Sequence, residues 1–167
     1  MLSFIAGGIT HSFGLYLIPV TEYLEVGRET FGFAFALQGF IAGAGAFIFG
    51  AISDKYGSGI ASFIGAILFI VGLVLFANVG SSTDIIISQC MIGFGASGTG
   101  VSVTLGAVGR VATDKNRTLY LGVVMAGAST GQFIILPIST FLLQTFGWSQ
   151  SLIYLAILSS SMIFFAF

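Results

Sequence analysis

His11 is the one ionisable side chain well inside an apolar stretch of this chain. An ionisable group within a membrane span is a functional candidate by default. An imidazole can bond a substrate or exchange a proton near neutral pH, its unperturbed pKa being about 6.5. It can equally be a neutral group tying two helices together by one hydrogen bond. Ser3, Gly7, Thr10 and Gly14 share its helical face at 100° per residue. A matching face carries Gln89, Gly93, Ser97, Gly100 and Thr104. Both sets are candidates to line a polar cavity. Gln38 and Gln132 each adjoin a small-xxx-small glycine pair, Gly39/Gly43 and Gly127/Gly131. Such pairs let helix backbones approach closely, so all six are expected to serve helix packing. A further pair of charges, Asp54 and Lys55, interrupts two long apolar runs. Cys90 stands alone, which excludes an intrachain disulfide and a thiolate metal site. No metal or other cofactor is expected.

The elements that carry these residues follow from composition. The chain has 167 residues, 56% hydrophobic and only 7% charged, with a mean hydropathy of +1.08. A soluble domain carries about 25% charged residues. The chain is therefore an all-α polytopic membrane protein. Its formal net charge of −1 offers no basic patch for nucleic acid. The first apolar stretch has neither a charged leader nor an A-x-A-like site, so no cleavable signal peptide is expected.

A spanning helix takes about 20 apolar residues. Polar breaks leave six transmembrane segments: 2–23, 31–53, 60–79, 85–110, 118–145 and 149–167. Lys55, Arg110, Lys115 and Arg117 fall on one side and Arg28 on the other. By the positive-inside rule both termini are cytoplasmic. The Asn116-Arg117-Thr118 sequon then faces the cytoplasm and is an accidental match. Arg110 has two readings: an ion pair with Asp54, or a side chain reaching the headgroups. Pro19 and Pro137 are expected to bend helices 1 and 5.

The two polar faces are offset by 86 residues, Ser3/Gly7/His11/Gly14 against Gln89/Gly93/Ser97/Gly100. Tyr56-Gly57 and Phe146-Gly147 are offset by 90. The chain thus divides into two three-helix units, a 3+3 inverted repeat. Helices 1 and 4 are expected to line a cavity, helices 2 and 5 to pack closely, and helices 3 and 6 to face lipid.

Gly50-Ala51-Ile52-Ser53-Asp54-Lys55-Tyr56-Gly57 resembles the loop 2–3 signature of the major facilitator superfamily, at the place that family has it. The family continues with bases, whereas this chain has Gly59 and Ile60. The resemblance implies a gating latch in which Asp54 faces the start of a helix in the other half, where partial positive charge accumulates. The plainer reading ends helix 2 with two charges at the interface. A second family motif places an Arg where this chain has Gln89, so that Arg's role is not carried over. Gly27-Arg28-Glu29, the stretch Arg117 to Pro137, and Phe146-Gly147-Trp148 look like the monocarboxylate and oxalate–formate branch.

The resemblance implies the N-terminal six-helix half of a plasma (inner) membrane secondary transporter. It would move a small organic anion, a monocarboxylate or related carboxylate, by alternating access. Protons or a counter-anion would drive it. The anion's positive partner would lie in the missing C-terminal half, since no Lys or Arg sits mid-membrane here. The chain begins inside helix 1 and ends within helix 6, and is expected to be a piece of a longer protein. Its partners would be the bilayer and that second half, or a second copy of itself. The alternatives are a non-transporting protein, such as a sensor or assembly factor, and a half-size dimeric transporter. A more distant one is an intramembrane serine protease of the rhomboid kind. Gly95-Ala96-Ser97-Gly98 matches its G-x-S-G, but the only His precedes the Ser, on helix 1.

Overall fold

The computed structural model describes residues 1–112 and 116–166, apart from the side chains of Arg110 and Val111. The two readings of Arg110, and Lys115 with its loop, lie outside the described residues. Among the described residues, six helices follow one another. α1 runs Leu2–Ser12, tightens to a 3-10 turn at Phe13–Tyr16, and resumes over Leu17–Tyr23. α2 is Arg28–Tyr56 and α3 is Ser58–Ala77. α4 is Ser82–Thr99 and, past Gly100, Val101–Val111. α5 is Arg117–Phe146 and α6 is Trp148–Phe164. Five of these are long and apolar enough to cross a membrane, while α6 is shorter, at 17 residues.

Local chemistry sets the ends. Gly57 (φ 95) closes α2 and Gly147 (φ 80) closes α5. Both have backbone angles that essentially only glycine adopts without strain. Ser81 caps α4, its Oγ accepting from the Asp84 N–H at 3.3 Å. In α1 the 3-10 turn lies just ahead of Pro19, which has no N–H for the helical ladder. Pro137 sits inside α5, which continues through it.

The most extensive pairings are α3 with α4, α2 with α4, α1 with α5, and α3 with α6. The repeat relates two of these, because exchanging the units turns α2/α4 into α5/α1. The main apolar core collects Phe13, Tyr16, Phe69, Phe76, Leu152 and Leu155, all with no exposed surface. Phe13 meets Phe76 edge-on at 5.7 Å, a favoured aromatic geometry.

Helix 3 departs from its expected lipid-facing role, while helices 2 and 5 each pack closely along one face and leave the rest uncovered within this chain. Half of the apolar stretch of α3 is buried, against 17% for α2 and for α5. The reason lies in small residues on α3. A Cβ on Gly65 would stand 2.7 Å from the Gly98 Cα, and one on Gly72 2.7 Å from the Ile92 Cγ1. α3 and α4 therefore approach backbone to backbone. Gly39 and Gly43 of α2, and Gly127 of α5, have nothing within 4 Å of that position. They do not form the expected packing seam here.

Candidate functional site

α1 presents its polar face in two parts. Ser3 is buried, and its hydroxyl bonds that of Thr104 at 3.0 Å, joining α1 to the Val101–Val111 piece of α4. Thr104 also lies 3.0 Å from the Gly100 carbonyl, its hydroxyl spanning the break in α4. Gly7 lies beside α5, 3.9 Å from the Ala128 carbonyl measured at its Cβ position. Thr10 is half-buried, and its hydroxyl has no hydrogen-bond partner among the described residues. His11 and Gly14 are exposed, one turn apart, on the open side of the helix.

His11 Nδ1 lies 2.8 Å from the Gly7 carbonyl oxygen. A carbonyl only accepts, so Nδ1 carries the hydrogen. The neutral ring then has Nε2 as an acceptor, and the protonated ring turns the same atom into a charged donor. His11 is thus held in one tautomer by its own helix.

The corresponding face of α4 points elsewhere. Gln89, Gly93 and Ser97 are buried and do not line an open cavity. A Cβ on Gly93 would strike the Gln38 carbonyl oxygen and lie 3.0 Å from the Gln38 Cγ. One on Gly45 would lie 2.5 Å from the Ser97 Oγ. The Ser97 hydroxyl donates to the Phe94 carbonyl of its own helix at 2.6 Å. Gln38 and Gln89 are 2% and 0% exposed, and neither amide has a partner among the described residues. A buried polar group left unpaired costs about 1–3 kcal/mol. Gln38 sits in the α2/α4 seam against Gly93, and Gln89 lies one turn before Gly93 on α4. Gln132 is half-buried on α5, next to Gly131, whose missing side chain admits the Phe4 backbone.

Composition did not disclose Gly8, Gly65, Gly72, Gly95 and Gly98, which make the tight contacts. The signal was available for α3, where Ala61, Gly65, Phe69, Gly72 and Phe76 recur at three- and four-residue steps. At the α2–α3 corner Lys55 lies 5.2 Å from the Tyr56 ring centroid, a cation–π distance. Gly50 is half-buried, and Gly57 supplies the turn expected of it. Asp54 is exposed and is engaged in an interaction of its own. No group of three or more His, Cys, Asp or Glu suited to a metal ion occurs among the described residues.

Known proteins agree with this architecture. The sequence matches the Major Facilitator Superfamily over residues 1–167. It is 25% identical over 148 residues to monocarboxylate transporter 11 of Mus musculus, covering 89% of this chain and 33% of that protein. Its fold is similar to that of the xylose transporter XylE from E. coli in its inward-open conformation. The TM-score is 0.82 at 15% identity, covering 99% of this chain and 45% of the transporter. The chain thus spans about a third of the curated relative and under half of the solved structure. The family is one of membrane transporters, which removes the protease reading of Ser97. This integral membrane chain, not an enzyme, belongs to the major facilitator superfamily.

Proposed function

We propose that the chain forms one six-helix half of a secondary transporter for a small organic anion of the monocarboxylate class. It would sit in the plasma (inner) membrane with both termini cytoplasmic. A second six-helix unit would complete the pathway and supply the positive charge that an anion needs. The observation carrying this reading is the open face of α1, with His11 fixed through Nδ1 to Gly7 and exposed. The sparse burial of α2 and α5 supports it, because both helices then have a face left for the second unit. The likeness to monocarboxylate transporter 11 supports the substrate class.

In this reading His11 Nε2 accepts a hydrogen bond from a carboxylic acid or, once protonated, donates one to a carboxylate. The proton that couples transport would pass through that exchange. Asp54 would latch onto the second unit at the cytoplasmic end, with Gly50 and Gly57 shaping the corner. Alternating access follows if the two units rock about the pathway.

The test is uptake of a labelled small monocarboxylate into proteoliposomes. The chain alone should show none, and the protein carrying both units should show uptake with a pH profile. Uptake by the monomeric chain alone would overturn the half-transporter reading. In the two-unit protein, His11→Ala should lower uptake and flatten the pH profile. If both stayed intact, His11 would have no transport role. Asp54→Asn should change which side of the pathway is open to a thiol reagent, and unchanged access would remove the latch.

A further inference from the structure

The end of the bundle where α1, α3 and α6 meet holds features that the transport reading does not use. Tyr23 closes α1 and Trp148 opens α6. Their rings lie 5.2 Å apart at an interplanar angle of 55°. They line a cavity of about 340 Å³ together with Ala77, Asn78, Val79 and Ser149. The walls of that cavity are fixed. The Ser149 hydroxyl donates to the Ala77 carbonyl at 2.7 Å, tying α6 to α3. Asn78 Nδ2 donates to the Val74 carbonyl at 2.7 Å.

Asn78 also lines a second cavity of about 190 Å³, with Leu75, Asp84, Ile87 and Ser88. Asn78 is common to both linings, and Val79 of the first is followed by Gly80, which Asp84 of the second holds. Asp84 is exposed, and its Oδ2 accepts from the Gly80 N–H at 3.1 Å. The carboxylate is therefore held in position on the rim. Glu22, Glu25 and Glu29 lie at the same end of the bundle and Arg28 is the base there, while stretches 78–84 and 146–150 contain no Lys or Arg. Neither cavity has a Lys or Arg among its lining residues. A cation meets two aromatic faces and a fixed carboxylate.

We infer that this rim binds an organic ammonium group, with Tyr23 and Trp148 against its alkyl shell and Asp84 facing its charge. Aromatic rings attract alkylammonium ions through the ring quadrupole, and paired rings are the usual recognition element for quaternary ones. Two sources offer that chemistry: a free alkylamine, or the headgroup of a choline lipid. The half-exposed Leu75 and Ile87 beneath Asp84 are compatible with an adjoining acyl chain.

Trp148 is the chain's only tryptophan and reports on the site directly. The chain is placed in nanodiscs of phosphatidylglycerol, which lacks an ammonium group. Its emission is titrated with tetramethylammonium chloride, against sodium chloride at equal ionic strength. A saturable change specific to tetramethylammonium is expected. Asp84→Asn should weaken it about fivefold, and Tyr23→Ala should weaken it at least as much. Calorimetry on the same samples reads binding without relying on the indole. The inference is overturned if neither readout saturates, or if both variants bind like the parent. Repeating the titration in phosphatidylcholine nanodiscs identifies the source. Suppressed binding marks the lipid headgroup as occupant, and unchanged binding marks a free ammonium ion.

Discussion

The α2/α4 seam and the α1/α5 seam occupy equivalent places in the two repeats, yet they are closed by different means. In the first, Gly93 lets the Gln38 backbone in and Gly45 makes room for Ser97. The unpartnered amide of Gln38 is shut inside it, and that of Gln89 is buried one turn before Gly93. In the second, the close approach shifts to Gly8 and Gly131, which would clash with each other's helix if either carried a Cβ. Gly7, the repeat counterpart of Gly93, merely grazes Ala128 at 3.9 Å. α4 is also clamped on a second side by α3, whereas α1 meets α6 over much less surface. The symmetry thus fixes which helices pair, while the side chains decide where each pair locks. It also leaves α1, the helix with the exposed His11, held less widely than α4.

The largest effects should come from the locking glycines. Gly93→Ala and Gly131→Ala each drive a methyl into a facing backbone that no rotamer change can clear. Each should destabilise the chain by about 2–3 kcal/mol in detergent unfolding titrations. A loss near zero at either position would mean that seam is looser than drawn. Next come the amides. Replacing both, as Gln38→Met with Gln89→Met, removes unpaired polar groups from the interior. It should stabilise by about 1 kcal/mol. A clear loss instead would show that the amides are bonded in the membrane.

Ser3→Ala deletes the tie to Thr104 and should cost about 0.6 kcal/mol, the average for a hydrogen bond between membrane helices. A double-mutant cycle with Thr104→Val measures that coupling, and a zero value would remove the tie. The smallest loss is expected of Gly7→Ala, which should not destabilise at all. There is room for the methyl, so the gain in helix propensity should dominate at under about 1 kcal/mol. If Gly7→Ala were as damaging as Gly93→Ala, the two seams would lock at equivalent positions and the contrast would fail.

Much of the architecture was legible in the sequence. Offsets of 86 and 90 carry the Gly93–Gln38 contact onto the Gly7–Ala128 contact, so the repeat seen in the polar residues is the repeat seen in the packing. The corners at Gly57 and Gly147 were marked by isolated glycines beside aromatic residues. The direction that each helix face points was less legible. Lipid tails and a protein interior are both apolar, so hydropathy did not separate Gly65 and Gly72, which pack, from Gly39 and Gly43, which do not. A polar residue in a span likewise signals a water-filled path or a buried seam. Gln89 and Ser97 proved to be buried, while His11 stayed exposed. The break at Gly100 had only a glycine to announce it, in a chain with 24 of them.

The corners at Gly57 and Gly147 carry a consequence for biosynthesis. One non-helical residue joins α2 to α3, and one joins α5 to α6. Neither hairpin has slack for one helix to settle in the bilayer while the other waits in water. Helices joined this tightly are expected to settle in the bilayer as a pair. In the proposed topology, with both termini cytoplasmic, the tip beside Lys55 would stay where the chain is made. The tip that would then be carried across is Phe146-Gly147-Trp148, which bears no charge at all. Placing a lysine there would set the cost of moving a charge through hydrocarbon against the insertion of two helices at once.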